Sequence, residues 1–301
     1  GLHLYFPFIP NPPVFFPISR YFTEKPFSAL AWWPSVQLFI YPSVIAVVYL
    51  LTLEISFSFW FFFLLTKIES ILIYAAGSKI NTGTFQQNQQ MGGFLVFIVF
   101  TIWLGRDHFK NTFSTLFGRK TTNDRNEPLP YAWAAIGLIC SLFLLALMCM
   151  LAGMNAWIAI FILVLFLGLS TVMTWMVTNG GLLFVLYPFL PSDYLITLFG
   201  SARVRASSWT IVVYERVLMF DMREFMMPSV VNNFKIADQI RVKQRSLLIV
   251  MGLAMVFAIG VSYYSSLNLI YKRGALNLQH WTYVISATAP FTRLASILQH
   301  P

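Results

Sequence analysis

Residues Ser35 to Ala76 read SVQLFIYPSVIAVVYLLTLEISFSFWFFFLLTKIESILIYAA, and they decide the class of the protein. The stretch is apolar or aromatic almost throughout. A hydrocarbon core of about 30 Å takes about 20 apolar residues in helix, so the stretch is long enough for two spans and too short for three. A carboxylate, Glu54, sits near its middle. An acidic residue inside such a segment costs roughly 2.5–3.5 kcal/mol on insertion scales. Glu54 is therefore the first residue whose place needs explaining.

Two layouts fit. The length favours one span at about 36–52 and a second at about 54–76. Leu51-Thr52-Leu53-Glu54 then forms a tight hairpin, with Glu54 at an interface near a helix N-terminus, where the macrodipole favours a carboxylate. In the other layout the helix is continuous or locally broken, and Glu54 is buried in the membrane.

Composition points the same way. The chain has 301 residues, 58% hydrophobic and 10% charged, with a mean hydropathy of +0.70. Soluble domains carry about 25% charged residues. A formal net charge of +9 would raise nucleic acid as a partner in a soluble protein. Here the charges cluster between apolar runs, so they read as topology signals. No aromatic-basic interleaving points to a nucleic-acid groove. The partners expected are the lipid bilayer and other membrane subunits, with no nucleic acid. Cys140 and Cys149 lie on opposite faces of one expected helix, too far apart to pair, and read as packing residues.

The rest of the chain divides as follows. Residues 1–34 carry Pro7, Pro10, Pro12, Pro13 and Pro17, which forbid a regular helix. They read as a Pro/aromatic-rich, non-spanning segment, with Trp32 and Trp33 at the start of an interfacial belt. Residues 35–178 read as a membrane domain with about five spans. Within it, 77–90 is a polar loop, and a span follows at about 91–105. A basic loop at 106–130 holds Arg106, Asp107, His108, Lys110, Arg119, Lys120 and Arg125. Two spans, at about 131–152 and 156–177, flank the short turn Gly153-Met154-Asn155.

Residues 179–200 read as a broken or re-entrant segment, punctuated by Gly180, Gly181, Pro188 and Pro191, with Ser192-Asp193 as a helix N-cap pair. Residues 201–246 interleave basic and acidic side chains as amphipathic surface helices. Residues 247–301 hold the last clear span, at about 247–267, and an amphiphilic tail whose Pro290 and Arg293 argue against a plain span. The fold expected is an all-α polytopic integral membrane protein. It has about six transmembrane helices, broken or re-entrant segments, and amphipathic helices on the basic, cytoplasmic side. The chain begins at Gly1 and ends at Pro301, and neither end reads as a natural terminus.

Few residues point to chemistry. On helical spacing Glu54 shares a face with Ser58, Phe61, Leu65 and Glu69, a face suited to binding a proton or cation. The plainer alternative has Glu54 capping a helix and Glu69 pairing with Lys67 or lying among headgroups. Asn179, Gly180, Gly181 and Asp193 border the broken stretch, where free backbone groups can bind ions or substrate. An ordinary interfacial turn would look the same. The amide run Gln86–Gln90 reads as a solvated loop or a polar vestibule. Gly92-Gly93 permits close helix approach. Arg241, Lys243 and Arg245 read as a topology determinant that also meets anionic lipid headgroups.

No catalytic residue, metal site or cofactor is indicated. His3, His108, His280 and His300 all fall outside the middles of the spans, so an axial haem ligand has no candidate. Phosphate-loop, zinc and nucleophile-elbow motifs do not occur.

Several segments together carry a resemblance: LLTLEISFSFWFFFLLTKIE at 50–69, FPFIPNPP at 6–13, QQMGGFLVFIVFTIWLGRDHF at 89–109, VTNGGLLFV at 177–185 and FDMREFMMPSVVNNFKIAD at 220–238. In this order they resemble an uncharacterised family of large bacterial polytopic membrane proteins, a domain of unknown function. The resemblance implies a longer parent chain with further spans on both sides, of which this is an internal portion. It implies a bacterial cytoplasmic (inner) membrane location, multi-pass. It supplies no activity and no site residue. Its many spans are transporter-like by analogy alone. The leading expectation is a permease-like protein for a small solute or ion. A non-catalytic subunit of a larger membrane complex and a membrane-embedded enzyme on a lipid-linked substrate are the alternatives.

Overall fold

The computed structural model describes residues 15–31, 35–77, 81–116, 127–183, 185–186, 189–219, 225–278 and 281–299. Trp32, Trp33, Arg119, Lys120, Arg125, Pro188, His3, His280, His300 and the prolines before Phe15 lie outside the described residues.

The described chain is helical. Its longer helices are α1 (Pro42–Tyr49), α2 (Leu53–Ala75), α3 (Thr82–Leu104), α4 (Arg106–Leu116), α5 (Tyr131–Leu151) and α6 (Ala156–Gly180). They continue with α7 (Pro191–Phe199), α8 (Ala206–Met219), α9 (Met226–Gln239), α10 (Gln244–Arg273) and α11 (Ser286–Gln299). Two short antiparallel strands, β1 (Phe15–Phe16) and β2 (Leu38–Phe39), pair Phe15 with Phe39. Four helices (α2, α5, α6 and α10) are long and apolar enough to cross a membrane. A fifth span arises if α3 and the start of α4, bent by 60° at Gly105, count as one.

The region 36–52 departs from the favoured layout. Pro42 opens a helix of only eight residues, which rises about 12 Å and cannot cross a hydrocarbon core. Thr52, in extended backbone, then starts α2. The expected polar loop at 77–90 is also shorter. Asn81 Oδ1 accepts the Gly83 N–H at 2.8 Å and caps α3. The amide run is thereby helical from its first residue, as the good helix propensity of Gln allows.

The chain forms two compact units, Gly1–Gly93 with Gly180–Leu182, and Phe94–Asn179 with Leu183–Pro301. In the first unit α2 packs on the 3-10 turn Phe27–Leu30. The second unit is built on α6, whose Ile158, Ile162, Leu169 and Met173 are fully buried. Around it lie Leu190, Leu195, Val204, Trp209 and Val212 from α7, α8 and their approaches. Gly168 lets Ile98 approach closely, since a Cβ there would stand 3.1 Å from that side chain. Trp175 meets Phe97 edge-on at 5.1 Å.

The four candidate spans differ in burial. Within their most apolar windows, 44% of α6 is buried, against 11% of α5, 6% of α2 and none of α10. The short helix α7, nine residues long, packs into the core beside α6. Its Tyr194 and Leu195 are core residues. The tail expected to be amphiphilic is α11, whose Leu294 and Ile297 pack against the same core.

Two helices end in the same six-residue turn. At the end of α5 the Gly153 N–H meets the Met150 carbonyl and the Met154 N–H meets that of Cys149. Gly153 takes the left-handed position at φ 105°. At the end of α9 the Arg241 and Val242 N–H groups bond the Asp238 and Ala237 carbonyls in the same pattern. Arg241 is at φ 58°. Glycine is usual at this position, and a residue with a Cβ there costs roughly 1–2 kcal/mol.

Candidate functional site

The sequence candidates separate when placed. Glu54 is exposed in the first turn of α2, a position where the helix macrodipole favours a carboxylate. Ser58 donates at 2.7 Å to the Glu54 carbonyl, and not to its carboxylate. Glu69 lies on the same helix four turns on, about 22 Å along the axis at 1.5 Å per residue. Glu54 and Glu69 therefore do not share a binding point, although they share a face.

Glu69 belongs to a different cluster, at the end of the helical hairpin formed by α2 and α3. Gln86 is buried. Its amide nitrogen donates to the Thr66 carbonyl at 3.0 Å and to Ser70 Oγ at 2.7 Å. Ser70, also buried, donates to the same Thr66 carbonyl at 2.8 Å. One turn along α3, Gln89 donates to Glu69 Oε1 at 3.4 Å. The second oxygen, Oε2, is buried and has no hydrogen-bond partner among the described residues. In a charged carboxyl group such an oxygen is costly to bury.

Helical spacing produces this cluster. Thr66, Glu69 and Ser70 fall at i, i+3 and i+4 on α2, and Gln86 and Gln89 at i and i+3 on α3, so each set forms one short polar stripe. Polar interhelical bonds of this kind hold membrane helices together at about 0.6 kcal/mol each on average. Replacing Gln86 by Ala removes two such bonds. The expected cost is about 1 kcal/mol, read as a lower unfolding midpoint in detergent. Wild-type stability in that variant would remove the cluster's structural role.

In the second unit, Asp193 is buried in the first turn of α7. Its Oδ2 accepts the Leu190 N–H at 2.6 Å, while its own N–H bonds the Leu190 carbonyl at 2.8 Å. Asp193 is thus the reciprocal partner of the cap and not the cap itself. Leu190 holds the cap position and Pro191 opens the helix. The other carboxylate oxygen, Oδ1, forms an ion pair with Nη2 of Arg293 on α11. This pair fastens the tail to the core. Asn179 is exposed and donates to the Trp175 carbonyl at 3.0 Å, one turn back on its own helix. Gly181 has φ 64° and turns the chain after α6. Arg241, Lys243 and Arg245 are exposed at the turn from α9 to α10.

The Gln86–Ser70–Thr66 bonds and the Arg293 partner of Asp193 were not foreseen. Their signals existed: polar stripes at helical spacing, and a lone arginine in an otherwise uncharged helix. Neither says which stripe meets which. Cys140 and Cys149 form no disulfide. Among the described residues no group of three or more His, Cys, Asp or Glu is placed to hold a metal ion.

These features define an all-α protein with four to five helices of membrane-crossing length and composition, the build of a membrane protein. The chain belongs, over residues 1–301, to a family of unknown function (DUF6785). No curated protein and no solved structure matches it.

Proposed function

We propose that the protein is a multi-pass permease of a bacterial inner membrane. In this reading it moves a small solute or ion, with the Glu69 carboxyl as its protonatable group. One observation carries the reading. Glu69 stands on a helix of spanning length with one oxygen held by Gln89 and the other buried with no hydrogen-bond partner among the described residues. Ionisable groups in such helices mark ion and proton paths by default. The amide side chains of Gln86 and Gln89 line the same end of the hairpin. Among the earlier candidates this reading keeps Glu69. It gives Glu54, Ser58, Asn179, Gly180, Gly181 and Asp193 structural roles.

The test is proton entry into proteoliposomes under an imposed membrane potential, followed with an internal pH dye. The wild type is expected to admit protons faster than protein-free vesicles. Glu69→Gln should slow entry several-fold, and Glu54→Gln should not. A wild-type rate equal to that of empty vesicles, or an unchanged rate in Glu69→Gln, would sink the reading.

A second reading has an observation of its own. No residue of the 30-residue α10 is buried, which suits a non-catalytic subunit whose partner subunits cover that helix. A monomeric native size in mild detergent would count against it.

A further inference from the structure

The turn from α9 to α10 opens a cavity of about 490 Å³ lined by Glu127, Asp238, Arg241, Lys243, Arg245 and Ser246, among others. All three basic side chains are exposed. None of them is in an ion pair among the described residues. The acids are fewer, and Glu127 already accepts the Tyr131 hydroxyl at 3.0 Å. The cavity therefore carries net positive charge, and guanidinium groups match phosphate oxygens in a planar fork.

Arg241 sharpens the case. It holds a left-handed position that the equivalent turn after α5 gives to Gly153. The backbone would be better served by glycine, so the side chain stays in spite of the local conformational preference. The surface beside the cavity is of the opposite kind. On α10, Ile249, Val250, Leu253, Val256 and Phe257 are all exposed. An anionic cavity ligand with an apolar tail lying along this helix would satisfy both surfaces, and a phospholipid is such a ligand.

We infer that this cavity binds the headgroup of an anionic glycerophospholipid. Arg241, Lys243 and Arg245 hold the phosphodiester, and Asp238 and Glu127 accept hydrogen bonds from headgroup hydroxyls. The two carboxylates oppose a doubly charged phosphomonoester, which favours a polyol headgroup such as that of phosphatidylglycerol. The site depends on α10 lying in a bilayer and is independent of any transport by Glu69.

Native mass spectrometry of the purified full chain, titrated with phosphatidylglycerol or phosphatidylcholine, tests this. The wild type is expected to retain phosphatidylglycerol and to release phosphatidylcholine. Arg241→Gly and Arg245→Gln should each weaken retention about fivefold, the share of one basic side chain at a lipid surface. Arg241→Gly should melt at the wild-type temperature or above it, because glycine suits the turn. Equal retention of the two lipids overturns the inference, and so does wild-type retention of phosphatidylglycerol by Arg245→Gln. Displacement of the lipid by millimolar inorganic phosphate overturns it too, since the cavity would then be a free-anion site.

Discussion

Replacing Arg293 with Met is expected to lower the stability of the folded chain by about 3–5 kcal/mol, the usual cost of breaking a buried ion pair from one side. The loss exceeds that of a surface pair because the Asp193 carboxylate is largely buried. Its side chain is 10% exposed and that of Arg293 28%. Without the guanidinium, the carboxylate keeps the Leu190 N–H but loses its charged partner. The damage should begin at α11. That helix is held to the core by the ion pair, by Leu294 and Ile297, and by an edge-on contact of Phe291 with Tyr214 at 5.7 Å. Hydrogen exchange should therefore show α11 opening ahead of α6.

The double replacement of Asp193 by Asn and Arg293 by Met should recover much of the loss, because the buried carboxylate charge is then removed together with the guanidinium. Denaturant unfolding of the two singles and the double gives the coupling. Wild-type stability in Arg293→Met, or strict additivity in the double, would show that the pair does not hold the tail.

The sequence made the class of the fold readable and left its internal partners hidden. Length and apolarity place α2, α5, α6 and α10 close to where they lie, because a helix that meets lipid announces itself by composition alone. The 36–52 region misleads for the same reason. Its residues are apolar enough to span, and only the extended backbone before Pro42 and the break at Thr52 show that they do not form one helix. The amide run misleads in the other direction. Polarity suggests a loop, yet the Asn81 cap and the helix propensity of Gln continue the helix through it. Glu69 was legible as a candidate, but its partners were not, since Gln86 and Gln89 stand on another helix. Asp193 was legible as a capping residue. Its ion pair joins positions a hundred residues apart, and no local pattern encodes that.

Trp209→Ala should cost about 3–5 kcal/mol, as large-to-small changes at buried aromatic residues do. Trp209 is 1% exposed and lies in the core cluster with Ile158, Ile162, Leu195 and Val212. The change leaves a void that the surrounding helices can close only in part. It also removes a bond, since the indole N–H donates to the Ser201 carbonyl at 3.1 Å, eight residues back. That bond pins the turn between α7 and α8. The neighbouring residue does the same on the other side. Ser208 Oγ accepts the Asn155 N–H at 3.1 Å and ties the start of α6 to α8. Trp209→Phe separates the two effects of the tryptophan. It keeps most of the ring volume and loses the hydrogen bond, so its cost should be smaller by about half or more. Unfolding midpoints of the two variants in one detergent read the difference directly. If Trp209→Phe is as damaging as Trp209→Ala, the bond to Ser201 and not the packing of the ring holds α8 in place. If both variants match the wild type, the core of the second unit does not lie where Trp209 places it.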